Sequence, residues 1–195
     1  MITRVISTLL AVFALGGTVA AQAAWELDPQ QSTVQFMSVK NGAVAELHHF
    51  GTLTGTVADD GLARVVIDLD SVESLIPIRN ERMRKMLFDT QDFPQATITA
   101  VVPPALMALE SGTTTTSELQ LHVNLHGVEM PLTALVMVTA LDGGALQVVL
   151  REPLVVKAAD FKLAEGIEAL REIAGLKSIT AAVPVTATLV FAPGD

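Results

Sequence analysis

Leu119-Gln120-Leu121-His122-Val123-Asn124-Leu125-His126 alternates apolar and polar residues without a fault. A period of two fits a half-buried β-strand and little else, because successive side chains of a strand point to opposite faces. The same period returns along most of the chain. It runs through 32–39 with Phe36 inward beside Val34, 50–57 with Leu53 and Val57 inward, and 62–71 with Val65, Ile67 and Leu69 opposing Arg64, Asp68 and Asp70. It continues in 96–102 with Ile98 inward, in 132–141 with Leu132, Ala134, Val136 and Val138 inward, in 146–150 with Val148, and in 183–191 with Leu189 and Phe191.

The punctuation between these runs is that of hairpins. Asp59-Asp60-Gly61 and Asp142-Gly143-Gly144 offer residues that accept positive φ, Asn41-Gly42 marks a third turn, and 127–129 turns the strand after Leu125. The segment 43–47 either extends the first strand or forms a short irregular piece. Pro103-Pro104 stops the strand before it, 105–109 admits one helical turn without requiring it, and the threonine run 113–116 is a loop or a strand edge.

Two stretches break the period. Between Arg79 and Pro94, Met83, Met86 and Leu87 fall at i, i+3 and i+4, while Glu81, Arg82, Arg84 and Lys85 take the other face. This is an amphipathic helix that Asn80 is placed to cap and that Pro94, by displacing Phe93 from helical geometry, should end near 92–94. A second helix is expected over 165–176, with Ile167, Leu170, Ile173 and Ala174 on its apolar side and Gly175 at its end. About eight strands, hairpin connections and two helices make an antiparallel all-β domain, a barrel or a sandwich. Periodicity does not separate the two.

Arg4, the apolar run 5–15 and small residues up to Ala21-Gln22-Ala23 have the form of a cleaved secretory signal, with cleavage expected after Ala23 or one residue later. The expected mature domain, 24–195, carries no further apolar stretch of spanning length, so no transmembrane anchor is expected, and the exported protein is expected to act in the periplasm. Arg4 is the only charge in the removed segment, so the formal net charge of −9 becomes −10. That sign opposes binding to nucleic acid. With no cysteine, the domain must rest on its core and its hydrogen bonds. Half the residues are hydrophobic but only 4% aromatic, an interior suited to flexible chains rather than flat rings.

The residue types of catalysis do not converge. His48 and His49 are adjacent, so a strand turns them to opposite faces, and His122 and His126 on one strand stand about 13 Å apart at ~3.3 Å per residue. Neither pair makes a metal site. No serine lies in a Gly-x-Ser-x-Gly elbow, no glycine-rich phosphate loop precedes a helix, and Asp68 with Asp70 or Asp89 with Asp92 read as solvated charges. No catalytic residue and no metal are expected.

Several marks occur together in one order. They are Trp25-Glu26-Leu27-Asp28-Pro29 with Ser32, Val34 and Phe36; Phe50 with Gly55; Ser71-Val72; Arg79 through Arg84, then Phe88-Asp89 and Phe93-Pro94; Leu121-His122 with His126-Gly127 and Pro131; and Asp160-Phe161. In these the sequence resembles the YceI-like family of exported lipid- or polyisoprenoid-binding proteins over nearly the whole of 24–195. Asn80 stands where the family usually has aspartate, and 43–49 departs from its pattern.

The resemblance implies an extended eight-stranded antiparallel lipocalin-like β-barrel with two short helices, and an internal apolar channel for a long-chain amphiphile such as an isoprenoid quinone, a polyisoprenoid or a fatty acid. On that reading the tail meets Val34, Phe36, Leu53, Val65, Ile67, Leu69, Met83, Met86, Leu87, Phe93, Ile98, Leu121, Val123, Leu125, Val136, Val148, Leu189 and Phe191, and a polar head meets Arg79 or His126. No cofactor is required, a bound isoprenoid or lipid is expected, and a homodimer is left open. The competing reading is an interaction or membrane-complex accessory module in which the barrel is only a scaffold. An exposed apolar patch outside the barrel would favour it.

Overall fold

The computed structural model describes residues 23–194, so the expected signal segment lies outside the described residues, apart from Ala23 at its end. Twelve strands are described where about eight were expected. They are β1 (Ala23–Leu27), β2 (Thr33–Lys40), β3 (Val44–Phe50), β4 (Leu53–Ala58), β5 (Leu62–Asp68), β6 (Val72–Glu73), β7 (Gln95–Val101), β8 (Thr114–Leu125), β9 (Val128–Ala140), β10 (Leu146–Leu150), β11 (Leu154–Lys157) and β12 (Ala182–Pro193). Every pairing between them is antiparallel.

Eight strands close a ring in the order β1, β4, β5, β7, β8, β9, β10, β12, and the β1–β12 pairing, with Trp25 opposite Pro193, seals it. The structure is therefore a closed barrel, not a sandwich. Two of the four additional strands, β2 and β11, find a place because β12 is long enough to change neighbours. One side of it pairs with β10 through Leu189 and Phe191 and then with β11 through Val185 and Val183; the other passes from β1 to β2. Beyond β2, strands β3 and β6 extend the sheet as a flap at one end of the barrel.

The longest hairpin, β8–β9, is continuous from Thr114 opposite Thr139 to Leu125 opposite Val128. Three of the four threonines, Thr114 to Thr116, are thus strand. The turn is His126-Gly127, one residue earlier than expected, with φ of 52° and 71°. Two consecutive positive φ values are what a tight turn of right twist demands. A Cβ on Gly127 would stand 2.8 Å from Phe93 Cε1, which is why that position carries no side chain.

Three α-helical segments and three short 3-10 turns accompany the strands among the described residues. The charged stretch forms α1 (Pro77–Arg82), which runs without a break into a π-helical turn, Met83–Phe88. It starts earlier than expected because Pro77 suits a first helical turn. It ends at Phe88, well before Pro94, because Asp89 adopts the left-handed conformation (φ 47°) and its N–H bonds to the Arg84 carbonyl. A single turn, α2 (Pro104–Met107), fills the segment that the sequence left undecided. The last helix, α3 (Ala164–Ile173), is shorter than its apolar pattern.

Candidate functional site

Inside the ring runs a cavity of about 280 Å³ with no polar side chain on its wall. The wall follows from the alternation: the inward positions Leu119, Leu121, Val123 and Leu125 of β8 and Val183, Val185, Ala187, Leu189 and Phe191 of β12 all face it. The row on β12 runs from Val183 to Phe191, eight residue steps or roughly 26 Å at ~3.3 Å per residue. The space is thus long and narrow. Leu106 and Met107 of α2 lie at one end, while Leu87 and Phe88 of the π turn, with Leu163 and Ile167 around the start of α3, lie at the other.

Fourteen of the expected tail contacts stand on this wall: Val34, Phe36, Val65, Ile67, Leu69, Leu87, Ile98, Leu121, Val123, Leu125, Val136, Val148, Leu189 and Phe191. Six expected residues do not. Leu53 is packed into the surrounding core. Met83 is buried in that core too, and Met86 stays off the wall because the helix changes pitch. A turn with i to i+5 hydrogen bonding places Phe88 against Met83, five residues on, where the α-helical period would have placed Met86 and Leu87. The methionine on the wall is Met107. Phe93 stacks on His126 at 4.3 Å between ring centroids, and that pair braces the β8–β9 turn outside the channel.

Arg79, the other expected head-group contact, is committed elsewhere. Its Nε donates to Ser74 Oγ at 2.8 Å, Nη2 to the Ser74 carbonyl at 2.6 Å, and Nη1 to Glu46 Oε2 at 2.5 Å. Asn80 does not cap α1. It is buried within the helix, where its Oδ1 accepts from the Ser74 N–H and Oγ and its Nδ2 donates to Glu73 Oε1 at 2.9 Å. An aspartate at this position would turn a second carboxylate oxygen toward Glu73, so the amide and Glu73 suit each other. That bond, joined by the Leu75 N–H, lowers the Glu73 pKa. Burial acts to raise the pKa of Glu46, but hydrogen bonds from Lys40 and Arg79 outweigh it and lower the value.

This polar network adjoins the helical end of the channel. Its innermost member is His48, only 3% exposed, whose Nε2 lies 2.9 Å from Ser38 Oγ while its Nδ1 is buried with no partner. Burial first, and the Arg79 charge second, push its pKa down to about 4, so near neutral pH the ring is uncharged. Among the described residues no cluster of three or more metal-ligating side chains exists, and no helix is long and apolar enough to cross a membrane. Outside the barrel, Leu47, Ile76 and Ile78 are exposed and Leu75 is 87% exposed.

The helical end depends on one close approach. A Cβ on Gly166 of α3 would collide with the Met86 carbonyl oxygen and stand 2.8 Å from Leu87 Cα. Gly166→Ala gains about 1 kcal/mol of helix propensity but overpacks by about 3 kcal/mol. The expected net loss of ~2 kcal/mol lowers the melting temperature by about 6 °C for a domain of this size. Thermal unfolding of the variant measures it, and an unchanged or higher value would show that α3 and the π turn need not touch.

The YceI-like domain model matches residues 25–191. A polyisoprenoid-binding domain from Saccharophagus degradans, implicated in plant cell wall breakdown, is 36% identical with a TM-score of 0.86, over 88% of this chain and 99% of that one. BcnA of Burkholderia cenocepacia, 21% identical over 84% of this chain and 98% of its own, has the same fold with a TM-score of 0.65. Comparison with curated protein sequences gives no match.

Proposed function

The chain belongs to the YceI-like domain family, and we propose that it is a non-catalytic carrier or store for a long-chain amphiphile, an isoprenoid quinone, polyisoprenoid or fatty acid, held in the barrel channel. The observation that carries this reading is the unbroken apolar wall of a long cavity. The relative from Saccharophagus degradans, described as polyisoprenoid-binding, supports the ligand class. Burying about ten methylenes at ~0.8 kcal/mol each contributes ~8 kcal/mol gross, reduced by the ordering of the tail. Such a balance gives binding that is useful and reversible.

The protein is proposed to act in the periplasm after loss of residues 1–23, and to need no cofactor. Native mass spectrometry and organic extraction of the purified exported protein test the reading. A bound long-chain lipid, or uptake of an offered prenol, quinone or fatty acid, is the expected result. An empty protein that takes up none of them would overturn it. That outcome would favour the accessory-module reading, for which the exposed Leu47, Leu75, Ile76 and Ile78 are the supporting observation.

A further inference from the structure

The inner face of the β2–β3 hairpin changes character along its length. Phe36 pairs with His48 and Ser38 with Glu46 across the two strands, and directly opposed residues of an antiparallel pair share a face. Phe36 and Phe50, two residues from His48 on the same strand, both stand on the channel wall. The His48 ring is therefore on the channel-facing side, with its centroid 5.0 Å from that of Phe36. Phe36, Phe50 and Phe88 form a collar, with ring centroids 5.4 to 6.3 Å apart, between the apolar cavity and the imidazole. Behind the collar come His48 and Ser38, and then Glu46 with Arg79 and Lys40.

A buried nitrogen without a hydrogen bond is costly, and Nδ1 of His48 is one of two such side-chain atoms among the described residues. The other, Nδ1 of His126, belongs to the turn braced by Phe93, and neither of those residues lines the channel. The two cations nearest His48 on this face are occupied, since Lys40 Nζ and Arg79 Nη1 both lie 2.5 Å from Glu46 Oε2. A phosphate would have to break that arrangement. An uncharged oxygen needs only the free ring nitrogen.

Resting on the channel reading above, we propose that His48 recognises the head group: its Nδ1 hydrogen-bonds to an uncharged oxygen, accepting from an alcohol or donating to a quinone carbonyl, reached by a tail that turns the phenylalanine collar aside. A neutral imidazole carries one N–H and one free lone pair. It therefore serves either head, with the Ser38 hydroxyl donating or accepting at Nε2 to suit.

The test compares a long prenol, a prenyl phosphate and a hydrocarbon without a head, squalene, on the full exported protein. The wild type is expected to bind the prenol about tenfold more tightly than squalene, and the phosphate no more tightly than the prenol. His48→Gln keeps an amide near Nε2 for Ser38 and lacks Nδ1, so it should erase the preference while still taking squalene. His48→Asn, which keeps a polar atom near Nδ1, should retain most of it. In the wild type, the Nδ1 nitrogen resonance should move on adding prenol and stay in place on adding squalene, a readout that does not depend on any variant folding. An equal affinity for prenol and squalene, an unmoved resonance, or a phosphate bound tenfold more tightly than the prenol would overturn the role of His48 and leave the channel reading standing. A wild-type protein that binds none of the three would overturn both.

Discussion

Replacing Ala187 by tryptophan is expected to empty the channel while leaving the barrel folded. Ala187 lies midway along β12, opposite Val34 of β2 and between Val185 and Leu189, and all four residues line the cavity. Its methyl leaves the bore open at a point that any tail reaching from α2 to the π turn must pass. An indole there needs no rearrangement of the backbone, because it projects into a cavity of about 280 Å³ rather than into packed side chains. If it excludes about five methylenes, the loss is ~4 kcal/mol at ~0.8 kcal/mol each, close to a thousandfold in affinity. Lipid content by native mass spectrometry, with a melting curve to confirm folding, measures the effect. Ala187→Val serves as the control that keeps the bore open. Full lipid content in a folded tryptophan variant would show that the ligand lies elsewhere, and with it the carrier mechanism would fall.

The wall around Ala187 was legible in the sequence because it is a local property. The period of two on β8, β9 and β12 states which side chains share a face, and the inward rows fall on the cavity as expected. Ring closure was not legible in the same way. It rests on Trp25 meeting Pro193 at opposite ends of the domain, and no short-range pattern encodes that pairing; the family resemblance supplied it. The helical end misled for a different reason. A period of 3.6 puts Met83, Met86 and Leu87 on one face, whereas the chain widens to a π turn and turns Leu87 and Phe88 to the channel.

His48 is turned inward by a difference of one residue in the β2–β3 loop. A two-residue Asn41-Gly42 turn would pair Phe36 with Leu47 and turn His48 outward. The loop also takes in Ala43, so Phe36 pairs with His48 and Leu47 is exposed. A shift of one residue moves every side chain of a strand to the other face. Adjacent residues of a strand face opposite ways, but only the register says which of the two histidines is inside.

That placement has a consequence for stability. His48 has a folded pKa of about 4 against 6.5 for a free imidazole. Burial lowers it most, Arg79, Lys40 and His49 lower it further, and Glu46 alone raises it. Above pH 6.5 neither the folded nor the unfolded chain binds a proton at this site, so His48 makes no pH-dependent contribution there. Between pH 6.5 and 4 the unfolded chain binds the proton and the folded chain does not, so stability falls as the pH falls. At pH 4.5 the loss from this residue is about 2.5 kcal/mol, from 1.36 kcal/mol per pKa unit, and below pH 4 it levels off. Urea unfolding of the wild type and of His48→Gln at pH 7.5 and pH 4.5 separates this residue from the carboxylates common to both proteins. The wild type should lose about 2.5 kcal/mol more than the variant over that interval. Equal losses would mean that the imidazole takes up its proton in the folded barrel, and that the space behind the phenylalanine collar admits water.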